Sequence, residues 1–300
     1  MKTVLVAGAS GLVGKSVMTL LKEKGFTVRT LSHSLPTDVT QQRYNWSPDT
    51  GQIDIRCFDG ADHVINLSGA GVFDHWWTSA YKDKIVKSRT LSTSLLADTI
   101  LKHDFPVQTF INASGISFYG NDTGDRWVDE NSPTTQEFLA RVVQLWEGAL
   151  LHHELKTRKV CLRFGIVLSD QGGALTQMAA PVKYGVGSAF ASGKQYLSWI
   201  HIQDLTRMIL FVIENQSVQG IYNAVAPKPV TNEAMIQAIA DRLGKKLWAP
   251  NVPGFVMNLV LGKERAAMLL GGNRVKVAKM EETGFQFQYK TLSEALHSFF

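Results

Sequence analysis

The first 31 residues constrain the fold of this 300-residue chain more than any other segment. Thr3–Ala7 reads TVLVA, a short β-rich run with no polar face, and it stops at Gly8. A strand apolar on both sides belongs in a parallel sheet covered above and below. Gly8-Ala9-Ser10-Gly11-Leu12-Val13-Gly14 follows. Then Val13, Val17, Leu20 and Leu21 recur at helical spacing, and Gly25 ends the segment. Phe26–Leu31 is a second β-rich run. Strand, turn, helix and strand in so short a span require a right-handed crossover between parallel strands.

In that context each glycine has a task. Gly8 permits the tight turn, Gly11 lets a diphosphate approach the backbone, and Gly14 lets helix and strand pack closely. The free amides at the helix start, around Ser10, Leu12 and Val13, offer N–H groups and partial positive charge to an anion. The turn predicts a dinucleotide-binding unit.

The chain continues the alternation. A loop marked by Pro, Asp and Gly runs from Leu35 to about Gly51, and His63–Leu67 is a buried strand. Tyr81–His103 reads as a helix, Val107–Ala113 as a strand, Thr134–Leu155 as a helix and Lys159–Leu168 as a strand. This order predicts an α/β fold, a Rossmann doubly wound parallel sheet with helices on both faces. Residues 169–198 break the pattern with Gly172, Gly173, Gly185, Gly187 and Gly193, and read as a loop-rich insertion. Trp199–Ile202, Leu205–Glu214 and Gly220–Ala224 resume strand, helix and strand. A helix at Thr231–Leu243, an apolar segment at Val256–Leu270 and a helix at Leu292–Phe299 complete the chain. We therefore expect residues 1–168 plus 199–225 to bind the dinucleotide. Residues 169–198 plus 226–300 then form a smaller C-terminal substrate lobe.

Composition narrows the class. The net charge is +5 and the basic residues are scattered, so no tail for nucleic acid is expected, whereas an anionic small ligand suits the excess. No apolar run spans a bilayer, and Met1-Lys2-Thr3 leads into a buried strand, not a signal peptide. Cys57 and Cys161 lie in apolar stretches without a C-x-x-C, which suits a reducing, cytoplasmic setting. No metal site is expected: the adjacent His152 and His153 point apart on a helix.

Cofactor choice is legible at the second strand. An NAD-binding unit usually carries an acid there for the ribose 2′-hydroxyl. This chain has none through Val28–His33. Ser32 and His33 are donors for a 2′-phosphate, and Arg29 adds charge if it faces that way, being otherwise a solvated strand residue. NADP(H) is favoured, with NAD(H) the alternative. Further cofactor contacts are expected at later strand ends, Leu67-Ser68-Gly69 and Ala113-Ser114-Gly115, whose small residues leave room for the two ribosides. Arg89, near Trp76, Trp77 and Lys82 at the start of the long helix, grips an acidic substrate or cofactor phosphate, or else faces solvent.

With the glycine loop, several stretches carry a family resemblance. They include Asn66-Leu67-Ser68-Gly69-Ala70-Gly71, Trp76-Trp77, Lys87-Ser88-Arg89, Ala113–Gly120, Trp146-Glu147 and Arg163–Leu168. Gly193–Leu205, Tyr222–Pro227 and Leu270-Gly271-Gly272 continue it. The chain resembles the extended short-chain dehydrogenase/reductases, the NAD(P)-dependent epimerase/dehydratase group, and more closely an atypical branch called epimerase family proteins. The resemblance runs nearly end to end and implies NADP(H) binding with a C-terminal substrate lobe. The wider superfamily implies a Ser at the position of Ser114, then Tyr-x-x-x-Lys on the next helix for proton transfer. Aligned on Glu147, the Tyr and Lys positions hold Leu139 and Val143, which transfer no proton. Tyr119 is a substitute acid or a buried tyrosine, and His201 a catalytic or a structural histidine. Asp204 reads as an N-cap, and Glu147 as a partner for Arg163 or a base. Two functions fit: an NADP(H)-dependent oxidoreductase or epimerase of a small substrate, using Ser114 and Tyr119, or a non-catalytic NADP(H)-binding sensor or interaction protein.

Overall fold

All five residues of β1 (Thr3–Ala7) are buried, which places this strand inside the main sheet. The computed structural model describes residues 2–33 and 37–300. After β1 comes α1 (Leu12–Glu23), which buries Gly14, Val17 and Leu21 on one stripe. β2 (Thr27–Ser32) then lies parallel to β1, with Val4 opposite Val28.

The segment expected as a loop from Leu35 to Gly51 is corrected here. Its residues Leu35 and Pro36, with Ser34 before them, lie outside the described residues. Beyond them the chain forms β3 (Arg43–Ser47), parallel to β2, and β4 (Gln52–Ile53), antiparallel to β3. Tyr44 and Trp46 alternate into the core at 5% and 3% exposure. That period of two lasts only five residues amid Pro, Asp and Gly, too short to stand out.

β5 (His63–Asn66) flanks the other side of β1, in parallel. α2 (Ser79–His103) is capped by Thr78, whose side chain accepts from the Tyr81 N–H. β6 (Thr109–Gly115) pairs parallel with β5, Asn66 facing Asn112 in register. β7 (Trp127–Val128) is short. α3 (Phe138–Leu151) starts later than the predicted Thr134, whose hydroxyl instead donates to Phe118 O at 2.7 Å.

The strand predicted over Lys159–Leu168 is two strands, β8 (Arg158–Phe164) and β9 (Ile166–Leu168). They part at Gly165, where a Cβ would stand 2.5 Å from Ser198 O. The insertion at 169–198 contains α4 (Ala174–Lys183), which buries Leu175, Ala179 and Val182. Glycines at either end and Pro181 within it conceal this helix in the sequence. Then follow β10 (Tyr196–Leu197), β11 (Trp199–His201), α5 (Ile202–Glu214) and β12 (Gly220–Ala224).

Eight strands form the main sheet in the order β12-β8-β6-β5-β1-β2-β3-β4. The order turns back on itself at β1, where β2 lies on one side and β5 on the other. Such a reversal opens a crevice at the carboxyl ends of the strands. The remaining elements are β13 (Val230–Thr231), α6 (Asn232–Arg242), α7 (Gly254–Leu261), α8 (Lys263–Leu270), β14 (Arg274–Val275), α9 (Ala278–Glu282) and α10 (Leu292–His297). The apolar segment at 256–270 is therefore two helices, parted at Gly262.

The chain divides into two compact units. The first is Met1–Ser114, Arg141–Leu162 and Thr206–Ile221, and the second is Gly115–Ala140, Arg163–Leu205 and Tyr222–Phe300. In the first, Leu5, Ala7, Trp46, Phe58, Leu96, Phe110 and Leu150 share one core. In the second, Leu175, Trp199, Met235, Ile239 and Leu296 share another. Among the described residues no helix is long and apolar enough to cross a membrane.

Candidate functional site

At the carboxyl ends of the strands around β1 the first unit holds an open groove of about 1220 Å³. Gly8–Gly11 line it after β1, Ser32 and His33 after β2, and Leu67–Ala70 after β5. Three glycines of the turn are there for different reasons. Gly8 has φ +78°, and a Cβ there would lie 2.6 Å from Leu67 C. A Cβ on Gly14 would lie 2.3 Å from Gly8 O. The fold itself demands these two. Gly11 is different: a Cβ on it would meet only Gly8 O, at 3.4 Å. Packing does not explain Gly11, whereas a ligand lying against the loop does.

The donor set fits a dinucleotide. Gly11 is the N-cap of α1 and no side chain caps that helix, so its first amides are open to an anion. Leu12, Val13 and Gly14 form the first turn behind the groove and do not line it. The Ser68 hydroxyl lines the groove, is buried and has no hydrogen-bond partner among the described residues.

Beneath Ser68 lies a buried polar network that ties the strand ends to α2. Asn66 Nδ2 donates to Thr93 Oγ1 and to Asn112 Oδ1, both at 2.9 Å, and Asn66 Oδ1 accepts from Ser68 N at 3.1 Å. Trp146 Nε1 donates to Thr93 Oγ1 at 3.2 Å. The pairing of Asn66 with Asn112 follows from strand register. Opposed residues on neighbouring strands put their side chains on one face.

Arg89 stands behind Gly69. Its guanidinium donates to Ala70 O and Ile85 O, each at 3.0 Å, and lies 5.0 Å from the Trp146 ring centroid. Burial pulls its pKa down to about 10, and among the described residues no carboxylate pairs with it. A desolvated cation beside the groove, compensated only by carbonyls and a ring, favours an anion nearby. Around it Tyr81 Oη, on α2, donates to Gly71 O at 2.6 Å and pins the loop after β5, and Trp77 Nε1 within that loop donates to Val72 O at 2.7 Å.

Arg29 does not serve the groove. Its guanidinium donates to Cys57 O and to Asp59 O, and its Nε to Gln42 Oε1. Val28 and Thr30, its neighbours along β2, line the groove, whereas the Arg29 guanidinium is taken up by carbonyls of the 57–59 turn. His33 instead packs against Trp46, with centroids 5.3 Å apart. Arg43 and Trp46 also line the groove, and sequence reasoning missed both because β3 was hidden.

The proposed catalytic residues have well-defined surroundings. In the first unit Ala113 and Ser114 are buried on β6, and Ser114 Oγ donates to Glu147 Oε1 at 2.6 Å. Glu147 thus has Ser114 as a partner, a contact the sequence did not suggest. Leu139 and Val143 are buried at 5% and 4% exposure, so α3 brings no titratable group at the usual Tyr and Lys positions. In the second unit Tyr119 Oη donates to Asn223 Oδ1 at 2.7 Å and accepts from Arg163 Nη1 at 3.1 Å. Burial raises the Tyr119 pKa to about 12, partly opposed by the Arg163 charge. Arg163 lies 3.4 Å from the Phe118 ring centroid.

His201 is stacked on Tyr289 at 3.7 Å and Phe299 at 4.5 Å, and burial drops its pKa to about 4. Its ring nitrogens engage Ser298 Oγ and the Gln203 N–H. Asp204 is not an N-cap, because α5 already begins at Ile202. Its carboxylate accepts from the N–H groups of Gln288 and Tyr289.

The sequence profile of the "NAD dependent epimerase/dehydratase family" matches residues 4–224. The chain belongs to the NAD dependent epimerase/dehydratase family. A second profile, "Domain of unknown function (DUF1731)", matches residues 252–299 of this epimerase-family chain. An epimerase family protein of Mycobacterium leprae is 34% identical over 98% of this chain and 94% of its own length. Epimerase family protein SDR39U1 of Mus musculus is 34% identical over 98% of each chain. The crystal structure of human epimerase family protein SDR39U1 with NADPH superposes with a TM-score of 0.88. It is 31% identical, with 99% of this chain and 98% of that one covered.

Proposed function

We propose that this chain binds NADP(H) in the groove at β1 and acts as an oxidoreductase or epimerase on a small substrate. One observation carries the reading: the open face of Gly11, beside uncapped α1 amides, in a groove that no packing demand explains. The NADPH bound to human SDR39U1 supports it, as does the absence of an acid along Val28–His33. NAD(H) is the alternative cofactor. Bound nicotinamide supplies or accepts a hydride. The amides of Ser10 and of the uncapped first turn of α1, at Leu12 and Val13, would hold a diphosphate, with Arg89 behind Gly69. Ser32 and His33 reach the adenosine ribose, and Leu67, Ser68, Gly69 and Ala113 border the ribosides.

Proton exchange is assigned to Ser114, because a hydroxyl donating to a carboxylate passes a proton on to Glu147 when its oxygen takes one from substrate. Tyr119 is the second candidate, and its raised pKa makes it the weaker acid. Substrate recognition is assigned to residues 169–198 plus 226–300. A cytoplasmic setting accords with two buried free cysteines.

A second reading has its own observation. With Leu139 and Val143 buried and apolar, a non-catalytic NADP(H)-binding sensor needs no further residues. The test is direct. Calorimetric titration with NADPH and NADH measures binding, and carbonyl compounds are then screened for NADPH oxidation. Turnover that falls at least about a hundredfold in Ser114→Ala supports the enzyme. Tight binding without turnover, and a partner captured only with cofactor, supports the sensor. A folded protein with no heat on adding either nucleotide refutes both.

A further inference from the structure

We propose that α7, with Trp248 ahead of it, is a docking face by which the second unit rests on an anionic lipid surface.

A helix at the surface of a folded unit ordinarily turns a polar face to water. α7 reads GFVMNLVL and has no such face. Its Met257 is buried, which fixes the side that points inward. At about 3.6 residues per turn, Phe255, Leu259 and Val260 then fall on the outward arc. All three are exposed, Phe255 at 73% and Leu259 at 83%, and Asn258 is the one polar residue beside them. Trp248 is exposed as well. The segment is anchored at its base: Val252 N donates to Ala189 O and Ala191 N to Val252 O, both at 2.9 Å. A fixed outward face of Trp, Phe, Leu and Val calls for an apolar cover.

Charge says which cover fits. From Lys245 to Lys263 the sequence has no Asp or Glu. Lys245 and Lys246 stand before the apolar run and Lys263 after it, all exposed. The first acids on either side, Asp241 and Glu264, lie outside the run. On an anionic lipid surface the tryptophan, phenylalanine and leucine enter the acyl boundary while the ammonium groups meet the headgroup phosphates. A second copy of the chain fits less well. Pairing α7 with α7, in either direction, sets lysine ends against lysine ends, and each chain carries a net charge of +5. Nor does α7 cross a bilayer: its eight residues rise about 12 Å, against about 30 Å of hydrocarbon. The helix lies on the surface.

The experiment sediments the full chain with vesicles of phosphatidylcholine alone and of phosphatidylcholine mixed with phosphatidylglycerol, at low and high salt. Wild type is expected to bind the mixed vesicles at least about tenfold more tightly than the neutral ones, and to lose that preference in high salt. Phe255→Ser with Leu259→Ser is expected to weaken binding to the mixed vesicles by about a hundredfold. Lys245→Gln, Lys246→Gln and Lys263→Gln together are expected to do the same, at about fivefold for each charge. Both sets change exposed side chains, so urea midpoints near that of wild type show the fold intact. If the serine pair does not fold, the lysine set still decides. A wild type that stays in solution beside mixed vesicles, or that binds neutral vesicles equally well, overturns the proposal. So does a dimer, read by sedimentation equilibrium, that Leu259→Ser dissociates, since the face then belongs to a second copy.

Discussion

At the scale of single residues, the glycine loop separates what the fold needs from what a ligand needs. Gly14 touches Gly8 O so closely that any side chain forces α1 away from β1, whereas Gly11 has room for a methyl group. The backbone at Gly11, φ −72° and ψ 170°, is one that alanine adopts freely. Gly14→Ala is therefore expected to cost about 2 kcal/mol of stability, while Gly11→Ala stays within about 0.5 kcal/mol of wild type. Gly11→Ala should nonetheless weaken NADPH binding by about tenfold or more, since its methyl group occupies the ligand's side of the loop. Denaturant unfolding and nucleotide titration on the two variants check this double dissociation. Gly11→Ala binding like wild type would remove the main support for the site. This loop was legible in the sequence because its demands are local. The two arginines were not: whether Arg29 or Arg43 faces the groove depends on strand pairing, which no local pattern around either one specifies.

At the scale of elements, the strand ends beside the groove are held by polar contacts from side chains far apart in sequence. Asn66 on β5 reaches Asn112 on β6 and Thr93 on α2, and Trp146 on α3 reaches the same threonine. Asn66 is fully buried, and replacing it removes the bonds that tie β5 to β6, to α2 and to the Ser68 N–H in the loop after β5. Asn66→Ala is expected to cost about 3 kcal/mol of stability. It also frees the Ser68 N–H, so NADPH affinity should fall as well. A variant as stable as wild type, read from its denaturant midpoint, would contradict the network. The sequence showed that both strands end in Asn followed by a small Ser-Gly pair, but not that the two asparagines bond each other. Long periodic elements such as β1, α1 and α2 were readable from hydrophobic spacing. β3 and α4 were not, because each carries only two or three buried positions between turn-forming residues.

For the whole molecule, the alternation of strands and helices over the first 168 residues sufficed to predict the doubly wound sheet, because that topology has few rivals. Acid sensitivity was not readable, since it depends on which histidines end up without water. Two do, one in each unit: His63 on β5 and His201 on β11, each 1% exposed. Burial, the leading cause for both, drops each pKa from 6.5 to about 4, and for His63 the Lys2 charge pushes the same way. Below pH 6.5 the unfolded chain takes up two protons that the folded chain refuses until about pH 4. Stability therefore falls as pH drops through that window, by about 3 kcal/mol for each histidine. The carboxylates of Asp54 and Glu294, held low by hydrogen bonds from Arg56 and from the Thr291 N–H, lose their contribution only at lower pH. His63 isolates the effect, because neither of its ring nitrogens has a hydrogen-bond partner among the described residues. His63→Leu fills a similar volume, strands no partner, and should leave stability at pH 7 within about 1 kcal/mol of wild type. Between pH 6.5 and 4 it should lose about 3 kcal/mol less than wild type, as read from urea midpoints across that range. Parallel pH profiles for the two proteins would mean that His63 takes up its proton in the folded state as readily as in the unfolded one, against the burial that surrounds it.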